Sequence, residues 1–119
     1  MTEGGSDTDA SESMPAESSM DDIPRADANA AASVAMALGH RLRMQILCRL
    51  TPLGEDGLSA GTLSAQLAVV PSSLSFHLQQ MTKAGIITAR HEGRSIFYSV
   101  NRSAVVALLN FLGGLLLHL

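Results

Sequence analysis

Between residues 59 and 100 the apolar residues change their spacing from that of helices to that of strands, and few folds accommodate this order. Ser59 is placed to cap a short helix that carries Leu63 and Leu67. Val69 and Val70 leave room only for a tight connection, and Pro71 stands where a helix tolerates proline, in its first turn. That second helix runs to about Ala84, and Gly85 is positioned to end it. Residues 86–90 and 95–100 are then rich in Ile, Thr, Val, Phe and Tyr, and they flank His91-Glu92-Gly93-Arg94. Gly93 can supply the positive φ of a short hairpin. Two helices with so short a link form a helix-turn-helix, and the hairpin after them makes it winged. The expected class is mainly α with a small β-hairpin wing.

The flanking segments extend this scheme. Residues 28–38 are alanine-rich and favour helix, Gly39 breaks the run, and residues 40–50 resume it. In that second run Leu42, Ile46 and Leu50 stand four apart with Leu47 beside them, which is one helix face. Pro52, Gly54 and Gly57 mark a loop. Asn101 is an expected N-cap for a last helix that is apolar almost all round. Such a helix must be buried, and in a domain this small its second face is expected to meet another copy of the chain. The expected dimer contacts are Val34, Leu38, Val105, Leu108, Leu109, Leu112, Leu115 and Leu116, with the first and last helices forming the seam.

Charge divides the chain. Residues 1–27 hold eight acidic residues against Arg25, with almost no branched or aromatic residue, and are expected to form a disordered acidic tail. Residues 28–119 hold seven bases against three acids, so the net charge of −3 conceals a mildly basic domain suited to a polyanion. The N-terminus lacks the order of a secretory signal. The apolar run over residues 104–119 is shorter than the roughly 20 residues of a membrane span, and Asn110, two glycines and His118 interrupt it. A cytoplasmic protein without membrane association is expected.

Winding residues 71–84 on a wheel puts Leu74, Leu78 and Met81 on one stripe with His77 at its edge. Ser72, Phe76, Gln79 and Lys83 gather opposite, flanked by Ser73, Ser75 and Gln80. Ser and Gln exchange hydrogen bonds with base edges and phosphates, and an exposed Phe76 matches a thymine methyl. At the hairpin, Arg90, His91 and Arg94 are opposed only by Glu92, and arginine on a thin ribbon can enter a minor groove or grip phosphates. Either feature alone is equally a solvated surface; together, in this order, they point to double-stranded DNA.

The segments "ALGHRLRMQILCRL" and "LSAGTLSAQLAVVPSSLSFHLQQMTKAGIITARHEGRSIFYSV" resemble the arsenic-repressor (ArsR/SmtB) family of bacterial winged-helix regulators, over residues 34–112. The most specific stretch is a Ser-x-His-Leu helix followed by Ala-Gly-Ile and an Arg-x-x-Gly-Arg wing ending in Tyr. The resemblance implies a homodimer joined by its first and last helices, two reading helices in successive major grooves of an inverted-repeat operator, and repression relieved by an inducer. Half-sites of such dimers lie about one turn of duplex apart. Carried over residue by residue, Ser73, Ser75, Phe76, His77 and Gln79 fall on the reading helix and Arg90 and Arg94 on the wing. Phe76 stands where the family frequently has a polar residue. Ala68 stands where its turn often has glycine, so a left-handed Ala68 is expected to carry strain of about 1 kcal/mol.

The metal and metalloid ligands of the family's familiar sensors are missing. The position of their Cys-x-Cys reads "GLSAGTLS", the C-terminal cysteines are replaced by "FLGGLLLHL", and one cysteine per subunit is too few for a soft metalloid or zinc. No metal or cofactor is expected. Cys48 is expected to be a small buried hydrophobe, the alternative being a thiol sensor or a cross-subunit disulfide. His118 reads as a polar cap, and His40 and His91 as solvated residues. Leu108, Leu109, Phe111, Leu112, Leu115 and Leu116 either pack a dimer or line a pocket for an apolar small-molecule inducer. An enzyme is disfavoured, because no nucleophile–base pairing, spaced carboxylate pair or phosphate-binding glycine loop is present. The remaining rival is a winged helix that binds protein rather than DNA.

Overall fold

The computed structural model describes residues 25–117. The acidic tail expected over residues 1–27 therefore lies almost wholly outside the described residues, as does His118. Helix α1 (Arg25–Leu38) begins three residues before the expected boundary and is followed by α2 (Arg41–Leu50). A single 3-10 turn, Thr51–Leu53, opens the loop to the two-residue strand β1 (Leu58–Ser59). Then come α3 (Ala60–Leu67), α4 (Pro71–Lys83), β2 (Ile87–Glu92), β3 (Ser95–Val100) and α5 (Arg102–Leu116). The strands form an antiparallel sheet in the order β1-β3-β2.

Local sequence accounts for most of these boundaries. The Ser59 hydroxyl accepts from the Thr62 amide at 3.2 Å and so caps α3. Ala68 ends that helix in the left-handed region, at φ 56°, the conformation in which an alanine carries strain. Gly85 closes α4 with two bonds, Gly85 N–H to Thr82 O and Ile86 N–H to Met81 O, both 3.0 Å, which is the Schellman pattern. Strand β2 runs further than expected, through Glu92, and pairs Glu92 with Ser95. The hairpin loop is thus only Gly93–Arg94, a two-residue turn whose twist suits its strands.

The core lies where the helix-turn-helix meets the sheet. Ile46 and Leu50 of α2, Leu63 of α3, Leu74, Leu78 and Met81 of α4, and Ile86 and Ile87 leading into the wing are fully buried. Leu42, Leu47, Leu67 and Val105 pack around them in part. The spacing of four read along α2 and α4 is the spacing of the buried positions, because one face alone of each helix meets the others.

Two expectations fail. Asn101 occupies the N-cap position of α5, yet its side chain does not cap the helix. Its Nδ2 donates to Gly85 O at 2.8 Å, and its backbone N–H donates to Ile86 O at 2.7 Å. The residue spans from the end of α4 to the start of α5, and that bridge captures the amide. Cys48 is exposed rather than buried. It lies two residues from both Ile46 and Leu50, about 200° round the helix from each, so the face that buries them turns it outward.

Candidate DNA interface

Helix α4 presents its polar side as a continuous exposed strip. Ser72, Ser73, Ser75, Gln79 and Lys83 are exposed, and Phe76 stands among them with 54% of its surface open. The strip is held rigidly from behind, since Leu74, Leu78 and Met81 on the opposite stripe are sealed in the core. His77 is half-buried at the edge of the strip, as the wheel predicts. At the wing, His91 and Arg94 are exposed at and beside the two-residue turn.

Arg90 departs from the expected pattern. Its guanidinium donates from Nε to Glu92 Oε2 at 2.9 Å, from one terminal nitrogen to Glu55 O at 2.7 Å, and from the other to Asp56 O at 3.3 Å. It also lies 5.3 Å from the centre of the Phe97 ring, its partner across the strands. Arg90 therefore ties the wing to the loop before β1, with each of its three nitrogens engaged within the chain. All three wing bases are exposed, and Arg90 is the one whose side chain is also held by neighbours in the chain.

A hard polar strip on a helix of this length, following a tight turn and flanked by a basic ribbon, has the dimensions of a major-groove reader. Known proteins resemble the chain in sequence and in fold. The helix-turn-helix domain family matches residues 38–90. The chain is 35% identical over 85 residues to the HTH-type transcriptional regulator YgaV of Escherichia coli, covering 71% of this chain and 84% of that one. It is 34% identical over 76 residues to the transcriptional activator HlyU of Vibrio cholerae, covering 64% of this chain and 68% of that one. An ArsR-like transcriptional regulator from Rhodococcus superposes with a TM-score of 0.64 at 26% identity, covering 74% of this chain and 80% of that one. The chain belongs to the ArsR/SmtB family of winged helix-turn-helix transcriptional regulators. It is a DNA-binding regulator of transcription and not an enzyme.

Three residues of this regulator had no place in the sequence-derived site. His40, expected to be solvated, caps α2 by accepting the Leu42 amide on Nδ1 at 3.1 Å. Its ring lies 4.3 Å, centre to centre, from that of His77 on α4. Arg43 of α2 donates from Nε to His77 Nδ1 at 3.0 Å and from a terminal nitrogen to Ala37 O at 3.1 Å. Asn101 is the third, as described above. For Arg43 the only signal in the sequence was a basic residue directly following a partly buried Leu42.

The regulator's outer helices are arranged differently from its core. Among the described residues of α5 none is buried, and Val106, Leu109, Leu112 and Leu116 are widely exposed. Val34, Leu38 and Val105 pack in part against the core, so these three expected seam residues serve the single chain first. Between α1 and α5 lies an open cleft of about 500 Å³, with Val34, Leu108 and Phe111 among mainly alanine walls and Asp27 and Asn110 as polar edges. It takes in Leu108 and Phe111 of the expected apolar set but not Leu109, Leu112, Leu115 or Leu116. Among the described residues no three of His, Cys, Asp and Glu converge as a metal site would require, and no helix is long and apolar enough to cross a membrane.

Proposed function

We propose that this regulator is a cytoplasmic homodimeric repressor of its own promoter. It lays the two α4 helices of the dimer in successive major grooves of an inverted-repeat operator, and a small-molecule inducer releases it. The observation that carries the reading is the pairing of an exposed polar strip on α4 with an uncovered apolar face on α5. A strip of one helix is too short to specify an operator alone, and a second copy joined through α5 supplies the other half-site. Leu109, at 61% exposure, and Leu116, at 68%, are the centre of that seam. Leu38 and Val34 continue it on α1, and Leu112 and Leu115 on α5.

On this reading Ser72, Ser73, Ser75, Phe76, His77 and Gln79 face base edges or the adjoining backbone, and Lys83, His91 and Arg94 face phosphates. Arg90 acts on the wing rather than on the duplex. The inducer is an apolar compound seated in the α1–α5 cleft, where Val34, Leu108 and Phe111 offer contact; a thermal-shift series without any stabilising apolar compound would remove that part of the reading.

The test of the whole is sedimentation of the full chain together with its binding to duplex fragments of its own promoter. A dimer at micromolar concentration, a fragment bound in dilute salt and a steep salt dependence are expected. A monomer, or indifference to the promoter, overturns the proposal. Loss of promoter activity on deleting the gene would instead mark an activator.

A further inference from the structure

The α1–α2 corner and the reading helix are joined by one polar cluster. Arg43 stands between them. One of its terminal nitrogens holds Ala37 O, a carbonyl in the last turn of α1, where a cation is favoured by the unpaired carbonyls of a helix end. Its Nε holds His77 Nδ1 on α4, and its guanidinium carbon lies 6.0 Å from the centre of the Phe76 ring. Phe76 in turn meets the His77 ring edge-on at 5.5 Å. Three successive contacts thus run from α1 to the most exposed aromatic on the strip.

We propose that Arg43 is a positioning residue that locks the DNA-reading face of α4 to the α1–α2 corner, and that the lock closes only on a neutral His77. The proposal rests on the reading of the α4 strip as the face that meets DNA. Geometry sets the protonation requirement. An Nδ1 that accepts from Arg43 cannot carry a proton, so the ring is neutral with its hydrogen on Nε2. A proton on Nδ1 would set donor against donor and cation against cation across 3.0 Å. His40, from the corner, and Arg43, from α2, are the titratable or charged groups set against His77. Burial first, and then these two neighbours, hold its pKa below the ordinary 6.5, which keeps the lock shut at neutral pH. Lysine cannot replace Arg43, because a single ammonium lacks the fork that reaches Ala37 and His77 together.

The lock orients Phe76 and His77, so its loss is read as lost discrimination between sequences rather than lost affinity for DNA in general. The probe is a short duplex selected by the wild-type full chain from a random-sequence pool, compared with a scrambled duplex at constant salt. Arg43→Lys, which keeps the charge, is expected to lower the affinity ratio about tenfold while leaving the scrambled duplex almost unaffected. The wild type is expected to lose the ratio progressively as the pH falls below the ordinary histidine range. His77→Gln offers Arg43 a carbonyl oxygen that does not titrate, so its ratio, whatever its size at neutral pH, should no longer fall in acid; His77→Leu should lose the ratio at every pH. Nitrogen-detected NMR of the histidine rings gives a readout independent of DNA. Wild-type His77 should be the Nε2–H tautomer and titrate at higher pH once Arg43 is changed to Met.

Undiminished discrimination in Arg43→Lys, or an acid loss that persists in His77→Gln, overturns the lock. Failure of the wild type to enrich any duplex would instead sink the reading of the α4 strip, and the positioning role with it, even if NMR found the bond in place.

Discussion

Helix α4 has 13 residues and seals Leu74, Leu78 and Met81 completely, whereas α5 has 15, is the more apolar of the two, and buries none. Each is amphipathic in its own way. The apolar stripe of α4 is answered within the chain by α2, α3 and the approach to the wing, so its polar face is left free and stiff. The apolar surface of α5 exceeds what α1 and the edge of the core can cover, and Leu109, Leu112 and Leu116 are left facing outward. One region is a finished core that aims a surface. The other is a surface without its complement in the chain, and it is this surface that the proposed dimer would cover.

The contrast can be broken most directly at its ends. Gly57 lies at φ +63° under β3, and a Cβ built there would fall 1.9 Å from Tyr98 O and 2.7 Å from its carbonyl carbon. Gly57→Ala is therefore expected to cost about 3 kcal/mol or more, with Leu78→Ala close behind at about 3 kcal/mol, both measured by denaturant unfolding. The pair Leu109→Glu and Leu116→Glu should leave the fold's circular dichroism intact while converting a dimer to a monomer on sedimentation, with promoter affinity down by about a hundredfold. If that double variant unfolds as Leu78→Ala does, α5 belongs to the core and the contrast is false.

Smaller effects sharpen it. Arg94→Ala should leave stability unchanged and flatten the salt dependence of DNA binding by about one unit of slope, as the loss of a phosphate contact does. Arg90→Ala should do the reverse, lowering stability by about 1 kcal/mol as two carbonyls and the loop before β1 lose their donor. Ala68→Gly should raise stability by up to about 1 kcal/mol, because glycine relieves the left-handed strain. The smallest effect is one of pH. With its folded pKa depressed, His77 takes up a proton in the unfolded chain first. Its contribution is therefore steady above about pH 6.5 and is lost as the pH falls below that value, so the melting temperature should drop in acid and drop less in His77→Gln.

Much of the exposed strip on α4 was legible because it obeys a single local rule. Once residues 71–83 are helical, a period of 3.6 alone decides that Leu74, Leu78 and Met81 share one side and Ser72, Phe76 and Gln79 the other. Ser59, Gly85 and Ala68 were legible for a related reason, since the bonds by which they start or end a helix reach no further than five residues along the chain. What Arg90 holds was not legible, because two of its partners are remote: the carbonyls of Glu55 and Asp56 lie 35 and 34 positions away. The contacts of Arg43 and of the Asn101 side chain were hidden in the same way, with 34 positions between Arg43 and His77 and 16 between Asn101 and Gly85.

By itself, then, the order of residues determined the elements, their inward and outward faces and the family, because periodicity, capping and turn chemistry act over a few neighbouring residues. Which polar groups would find each other was decided only when the elements packed. A guanidinium or an amide can satisfy any carbonyl or ring nitrogen that comes within 3 Å or so, and nothing short of the folded chain determines which one does.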